Sequence, residues 1–210
     1  MYLSRLKLNP RSRRAMTEAS RPYELHRSLM TAFPDRAAGG AGQVLFRLDI
    51  DQETGDMSVL VQSKKEPDWA ALNGAMSFVT EYQSKPFAPI FVRGQFLRFR
   101  VRANPTKRVK DTGKRQGILG EEAQIEWLRE KGKGSGFEIM DVYASDEGFS
   151  KDRSKEASGI KHNITLLSVR FDGLLRVTDP DAFYRTIEQG IGSGKGLGFG
   201  LLSVAMVAKD

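Results

Sequence analysis

The sequence contains no cysteine and only two histidines, His26 and His162, far apart in the chain. Without cysteine there is no disulfide framework, no thiolate nucleophile and no Cys-ligated zinc. Two distant histidines do not make a His-rich metal site, so neither a metal nor a cofactor is expected. No apolar run reaches the roughly 18 residues of a membrane span. Arg5 and Lys7 interrupt the N-terminal run, so it lacks the apolar core of a signal peptide. These absences point to a soluble, cytoplasmic protein with no membrane partner.

What the chain does have is a globular composition and an excess of positive charge. Its 210 residues are 40% hydrophobic and 28% charged, with a formal net charge of +7, which suits one to two domains with a buried core. The charge is segregated. Residues 98–115 carry eight basic side chains against Asp111 alone, and the rest of the chain balances to zero. Residues 1–36 are also basic, at +5, and are offset by acidic residues elsewhere. Segregated basicity is the usual footprint of a phosphate-backbone ligand.

Hydrophobic periodicity predicts an α+β fold of two tandem ferredoxin-like βαββαβ domains, over 1–84 and 95–210. In the first, strands are expected at 2–8, 44–50, 57–62 and 78–82. A helix is expected over 21–33 with Ser20 as its N-cap, and a short one near 67–72. Residues 84–94 read as a connector. In the second, strands are expected at 96–102, 137–143, 163–171 and 201–207, with helices at 121–131 and 180–189. The polar stretch 145–159 is expected to be a mobile loop.

From Gln95 to Arg102 the sequence alternates strictly. Leu97, Phe99 and Val101 face one way, and Arg98, Arg100 and Arg102 the other, about 6.6 Å apart. No acid lies near them in sequence. The following segment adds Lys107, Arg108, Lys110, Lys114 and Arg115 on a stretch long enough for a projecting hairpin. The bland alternative is a solvated strand face. There is no zinc-finger spacing, no helix-turn-helix pattern and no aromatic run for stacking single-stranded bases. The element therefore reads as a backbone and groove reader.

On the first helix, Tyr23, His26 and Arg27 share an arc that the core residues Leu25, Leu29, Ala32 and Phe33 do not claim. Such a trio suits phosphodiester transesterification without a metal. An imidazole can move the proton of a ribose 2′-hydroxyl, a cation can stabilise charge on the phosphorane, and a tyrosine can donate to the phosphate or leaving oxygen. Surface residues with no role are the alternative. His162 reads as structural or as a peripheral phosphate contact, with Lys161 beside it in the RNA-contact set.

The stretch from Gly190 to Leu202 is glycine-rich, including Gly192, Gly194, Lys195 and Gly196. A nucleotide-binding loop needs strand, loop, helix; here the order is helix, loop, strand, so no nucleotide cofactor is expected. Close backbone approach to a phosphate chain, with Lys195 beside it, is one reading. A tight packing turn is the other.

Four segments together resemble the CasE family, the CRISPR repeat-processing endoribonucleases of type I-E systems. They are Met-Tyr-Leu-Ser-Arg-Leu at the start, Pro-Tyr-Glu-Leu-His-Arg-Ser-Leu from Pro22, Phe-Arg-Val-Arg-Ala-Asn-Pro-Thr-Lys from Phe99, and Gly-Ile-Gly-Ser-Gly-Lys-Gly-Leu-Gly-Phe-Gly from Gly190. The resemblance implies cleavage of the repeat stem-loop at the 3′ base of its stem, leaving a 2′,3′-cyclic phosphate. It implies that the protein stays on the mature crRNA with the other Cascade subunits. It implies His26 and Tyr23 as the catalytic pair and the stretch 98–115 in the groove of the RNA stem. Some relatives carry a lysine five residues after the histidine. Here that position is Thr31, so another cation is required, with Arg27 the first choice. A non-catalytic RNA scaffold or a DNA-binding module would use the same surface.

Overall fold

A computed structural model describes residues 1–33, 43–72, 77–110, 113–155 and 161–207, without the side chains of 151–155 and 161–163. The chain divides into two units. The first is Met1–Ala88 with Lys151–Ile164 and Lys195–Gly198; the second is Pro89–Ser150 with Thr165–Gly194 and Phe199–Asp210.

In the first unit, strands β1 (Tyr2–Leu8), β2 (Val44–Ile50), β3 (Met57–Ser63) and β4 (Val79–Pro86) form a sheet in the order β2-β3-β1-β4. β1 is antiparallel to both its neighbours, pairing Leu6 with Val59 on one side and Tyr82 on the other. Its alternation buries Leu6 and Leu8 and exposes Arg5 and Lys7, as the period of two requires. Helices α1 (Arg13–Ala19) and α2 (Pro22–Leu29) follow β1, and a 3₁₀ turn over Met30–Ala32 extends α2. Leu25, Leu29, Ala32 and Phe33 join Leu6, Phe46, Val59, Val61 and Trp69 in one core.

The predicted helix from 21 to 33 is thus one α-helix tightened at its end, preceded by a helix that periodicity misses. Arg21, not Ser20, occupies the N-cap of α2, with no side-chain capping bond. The Ser20 hydroxyl donates instead to the carbonyl of Thr17, closing α1. Pro22 at the first helical position tolerates the missing cap, because it has no N–H to satisfy. β4 runs on to Pro86, into the expected connector.

A second sheet, in the order β10-β5-β9-β8, is formed by β5 (Phe96–Ala103), β8 (Phe137–Lys155), β9 (Lys161–Val177) and β10 (Ser203–Met206); it belongs to the second unit except for the parts of β8 and β9 within Lys151–Ile164. Helices α3 (Glu121–Lys133) and α4 (Pro180–Gln189) complete the unit. A separate two-stranded ribbon, β6 (Thr106–Arg108) with β7 (Arg115–Gly117), is the expected hairpin. Leu97, Val101, Leu128, Phe137, Phe171, Phe183 and Ile187 are buried. β8 passes close to β9 at Gly173, where a Cβ would stand 2.1 Å from the Asp141 carbonyl oxygen.

Both sheets carry the strand order of a ferredoxin-like fold, as the periodicity predicts. One expectation fails: the stretch 145–159 is not a loop as far as it is described. β8 continues to Lys155, and β9 starts at Lys161. Residues 156–160 lie outside the described residues. The polar side chains that argued for a loop include partners of other strands. Glu147 accepts from Arg102 and from the Ser168 hydroxyl, and such long-range pairing leaves no mark in local composition.

Candidate active site and nucleic-acid interface

Two sets of candidate residues emerge, one in each unit. In the first unit, α2 presents Tyr23 and His26 half-buried and Arg27 exposed. His26 is less exposed than a helix-face reading suggests. Its ring stacks on Phe46 of β2, with centroids 5.8 Å apart and planes at 16°. Its Nδ1 is buried with no hydrogen-bond partner among the described residues. Burial holds its pKa below the ordinary histidine value, because the charged form loses hydration.

The glycine-rich stretch divides between the units. Gly192 and Gly194 belong to the second and Lys195 and Gly196 to the first, where a 3₁₀ turn over Lys195–Leu197 packs against α2 and β2. Gly196 faces the Nε2 edge of the imidazole: a Cβ there would stand 3.8 Å from His26 Nε2. Gly198, with φ +83°, lies against the other participant, since its Cβ would come within 3.2 Å of the Phe46 ring. Any larger residue would lift the turn off that ring. Lys195 is half-buried, with no acid paired to it among the described residues, and desolvation lowers its pKa.

Arg27 forms a surface ion pair with Glu24 at 2.8 Å. Thr31 donates its hydroxyl to the carbonyl of Ser28, which ties the helix end. Phe46 and Gly198 are the site residues that sequence reasoning misses. Phe46 reads as an ordinary core position of a strand, and only the packing of α2 shows what lies on it.

In the second unit the arginine stripe is not uniform. Arg98 is exposed and unpaired among the described residues. Arg100 pairs with Asp172 at 2.5 Å, and Arg102 holds Glu147 through two bonds of 2.6 and 2.9 Å. The expectation that nearby acids are absent is therefore corrected: they come from β9, which pairs with β5, and from β8, one strand further across the sheet, both distant in sequence. Burial would raise the Glu147 pKa, but the bonds from Arg102 and Ser168 and the charge of Arg170 hold it below the usual carboxylate value. The ribbon is freer. Lys107, Arg108, Lys110 and Arg115 are exposed with no acid partner among the described residues, and Lys114 is exposed beside them. Lys161 begins β9, but its side chain lies outside the described residues, as does that of His162.

Among the described residues no helix is long and apolar enough to cross a membrane. The family described as CRISPR associated protein matches residues 1–206. The chain is 36% identical to the CRISPR-associated endoribonuclease Cse3 of Thermus thermophilus, over 98% of this chain and all of the relative. It is 31% identical to the CRISPR system Cascade subunit CasE of Escherichia coli, over 87% of this chain and 91% of the relative. Cse3 bound to a 19-nucleotide RNA superposes with a TM-score of 0.86 at 37% identity, over 98% of this chain and all of that one.

Proposed function

The chain belongs to the CasE family of CRISPR-associated proteins, and on that premise we propose that it is a metal-independent endoribonuclease of the CRISPR repeat transcript. It binds the repeat stem-loop, cuts at the 3′ base of the stem, and stays on the mature crRNA with the other Cascade subunits. The transcript is made in the cytoplasm, and the protein works there. The names of the relatives support the activity and the Cascade assignment. The observation that carries the reading in this chain is the half-buried His26, packed on Phe46 with Nε2 toward the glycine turn at Gly196.

The reaction needs one proton removed and one delivered. The ribose 2′-oxygen forms a bond to phosphorus as its proton leaves. The bond from phosphorus to the 5′-oxygen breaks, and that oxygen takes up a proton. The products are a 2′,3′-cyclic phosphate and a 5′-hydroxyl. His26 and Tyr23 serve these two transfers. A lowered imidazole pKa keeps His26 neutral near pH 7, which suits it to accept the first proton. Charge on the phosphorane oxygens falls to Arg27 and Lys195 in the absence of a lysine at position 31. Arg27 must share its guanidinium with Glu24; Lys195 has no such competitor among the described residues.

RNA affinity comes from Arg98 and from Lys107, Arg108, Lys110, Lys114 and Arg115 of the ribbon, with Lys161 and the backbone at Gly192, Gly194 and Gly196 as further phosphate contacts. Arg100 and Arg102 contribute while remaining paired to their carboxylates.

The test is a repeat-derived stem-loop RNA incubated with the protein in EDTA. Cleavage should persist in the chelator and stop when the nucleotide 5′ of the scissile phosphate is 2′-deoxy. Loss of cleavage in EDTA overturns the metal-free route. RNA that is bound but left whole identifies a scaffold subunit, and displacement of the hairpin by duplex DNA identifies a DNA-binding module.

A further inference from the structure

The second unit contains a cavity of about 390 Å³ that the cleavage chemistry does not use. Its walls include Arg108 and Arg115 of the ribbon, Trp127 and Lys131 of α3, and Gly192 and Ser193 of the glycine-rich stretch. None of the three cations has an acid partner among the described residues. Trp127 is held firmly: its ring stacks on Phe171, with centroids 6.4 Å apart and planes at 22°. The Lys131 ammonium lies 5.7 Å from the centre of that ring. Gly192 adopts φ +75° against Trp127, where a Cβ would stand 3.3 Å from the ring edge. The Ser193 hydroxyl accepts a hydrogen bond from the Asn104 amide at 3.2 Å, which fixes that wall.

We propose that this cavity receives one unpaired nucleotide flanking the RNA stem, with its phosphate on Arg108, Arg115 and Lys131 and its base against Trp127. The inference rests on the reading that the substrate is a repeat hairpin. A paired nucleotide cannot enter a concavity, because its base is stacked on both sides and its edge is engaged. An unpaired nucleotide offers a free base and a phosphate together. An aromatic wall beside three uncompensated cations matches both parts, and needs no particular base, since every base has a π-face.

The experiment compares two non-cleavable RNAs with a 2′-deoxy nucleotide at the cut: the repeat stem-loop with a blunt stem, and the same stem-loop with its unpaired flanking nucleotides. Lys131 is exposed, so Lys131→Ala leaves the fold in place. The variant should weaken the flanked RNA by roughly tenfold and the blunt stem by less than about twofold. Tryptophan fluorescence gives a second readout that requires no mutation. The chain has two tryptophans, and Trp69 is buried in the first unit at 2% exposure. Quenching by the flanked RNA and not by the blunt stem supports contact at Trp127. Equal losses for both RNAs, or fluorescence that responds to both alike, overturns the nucleotide cavity and leaves the hairpin reading standing. Failure of both RNAs to bind the wild-type protein overturns the cavity and the hairpin reading together.

Discussion

His26 lies nearly parallel to Phe46, 5.8 Å between ring centres, and this contact dries one face of the imidazole. The drying disfavours the imidazolium, so the folded-state pKa lies below the reference of 6.5. The histidine limb of the cleavage pH profile should have its midpoint below that value. Phe46→Leu lets water reach the ring and should move the midpoint up toward 6.5, at a stability cost of about 1 kcal/mol. Single-turnover rates from pH 4.5 to 8 measure the shift, and an unmoved limb would remove Phe46 from the explanation. The sign for stability follows from linkage. The contribution of neutral His26 is present above the unfolded value of 6.5 and is lost as pH falls below it.

Gly196 gives a test of which edge of His26 meets the substrate. It does not adopt positive φ, so a side chain there costs no backbone strain. A methyl group would meet Nε2 at an ordinary 3.8 Å. Gly196→Ala should therefore cut within about threefold of wild type, while Gly196→Leu, whose branched end covers the imidazole edge, should lose about 100-fold, the scale of one acid–base group. RNA affinity of the leucine variant should change far less than its rate. Similar rates for both variants would show that Nε2 does not face the reacting atoms.

The paired and unpaired cations of the second unit should separate in measurement. Arg102→Ala leaves the half-buried Glu147 carboxylate without its main partner and should cost about 1 kcal/mol in urea unfolding. Glu147 has a lowered folded pKa, so this contribution is present above the unfolded carboxylate value and lost as pH falls through the folded one. Lys107→Ala, at an exposed position of the ribbon, should change stability by less than about 0.5 kcal/mol. It should instead reduce the slope of log affinity against log salt by about 1. A stability loss at Lys107, or none at Arg102, would contradict the division.

The elements that were legible in the sequence are those whose causes are local. α4 spans the predicted residues because Pro180 opens it, Asp179 accepts from two N–H groups at its start, and Gly190 closes it. β1 and β5 were legible from strict alternation. α1 was not, because among its seven residues Met16 is the single large apolar side chain, too little for a visible apolar periodicity. It is held by the Ser12 cap and the Arg14–Glu18 pair. The continuation of β8 was hidden for the opposite reason: Glu147 is bonded to Arg102 and Ser168 of other strands, and composition alone reads it as solvated.

The same distinction runs through the site. The order of amino acids sets which chemistry is available: one helix with a tyrosine, a histidine and an arginine at helical spacing, one segment holding the whole net charge, and no cysteine for thiolate or zinc chemistry. Tertiary packing sets what each group can do. It half-buries His26 against Phe46, sets the Lys195–Leu197 turn on its helix from the far end of the chain, and pairs Arg100 and Arg102 with carboxylates, while Arg98, Lys107, Arg108, Lys110 and Arg115 have no acid partner among the described residues. Charge and hydration energies depend on distance and burial, and folding sets both by bringing together residues that the sequence keeps far apart.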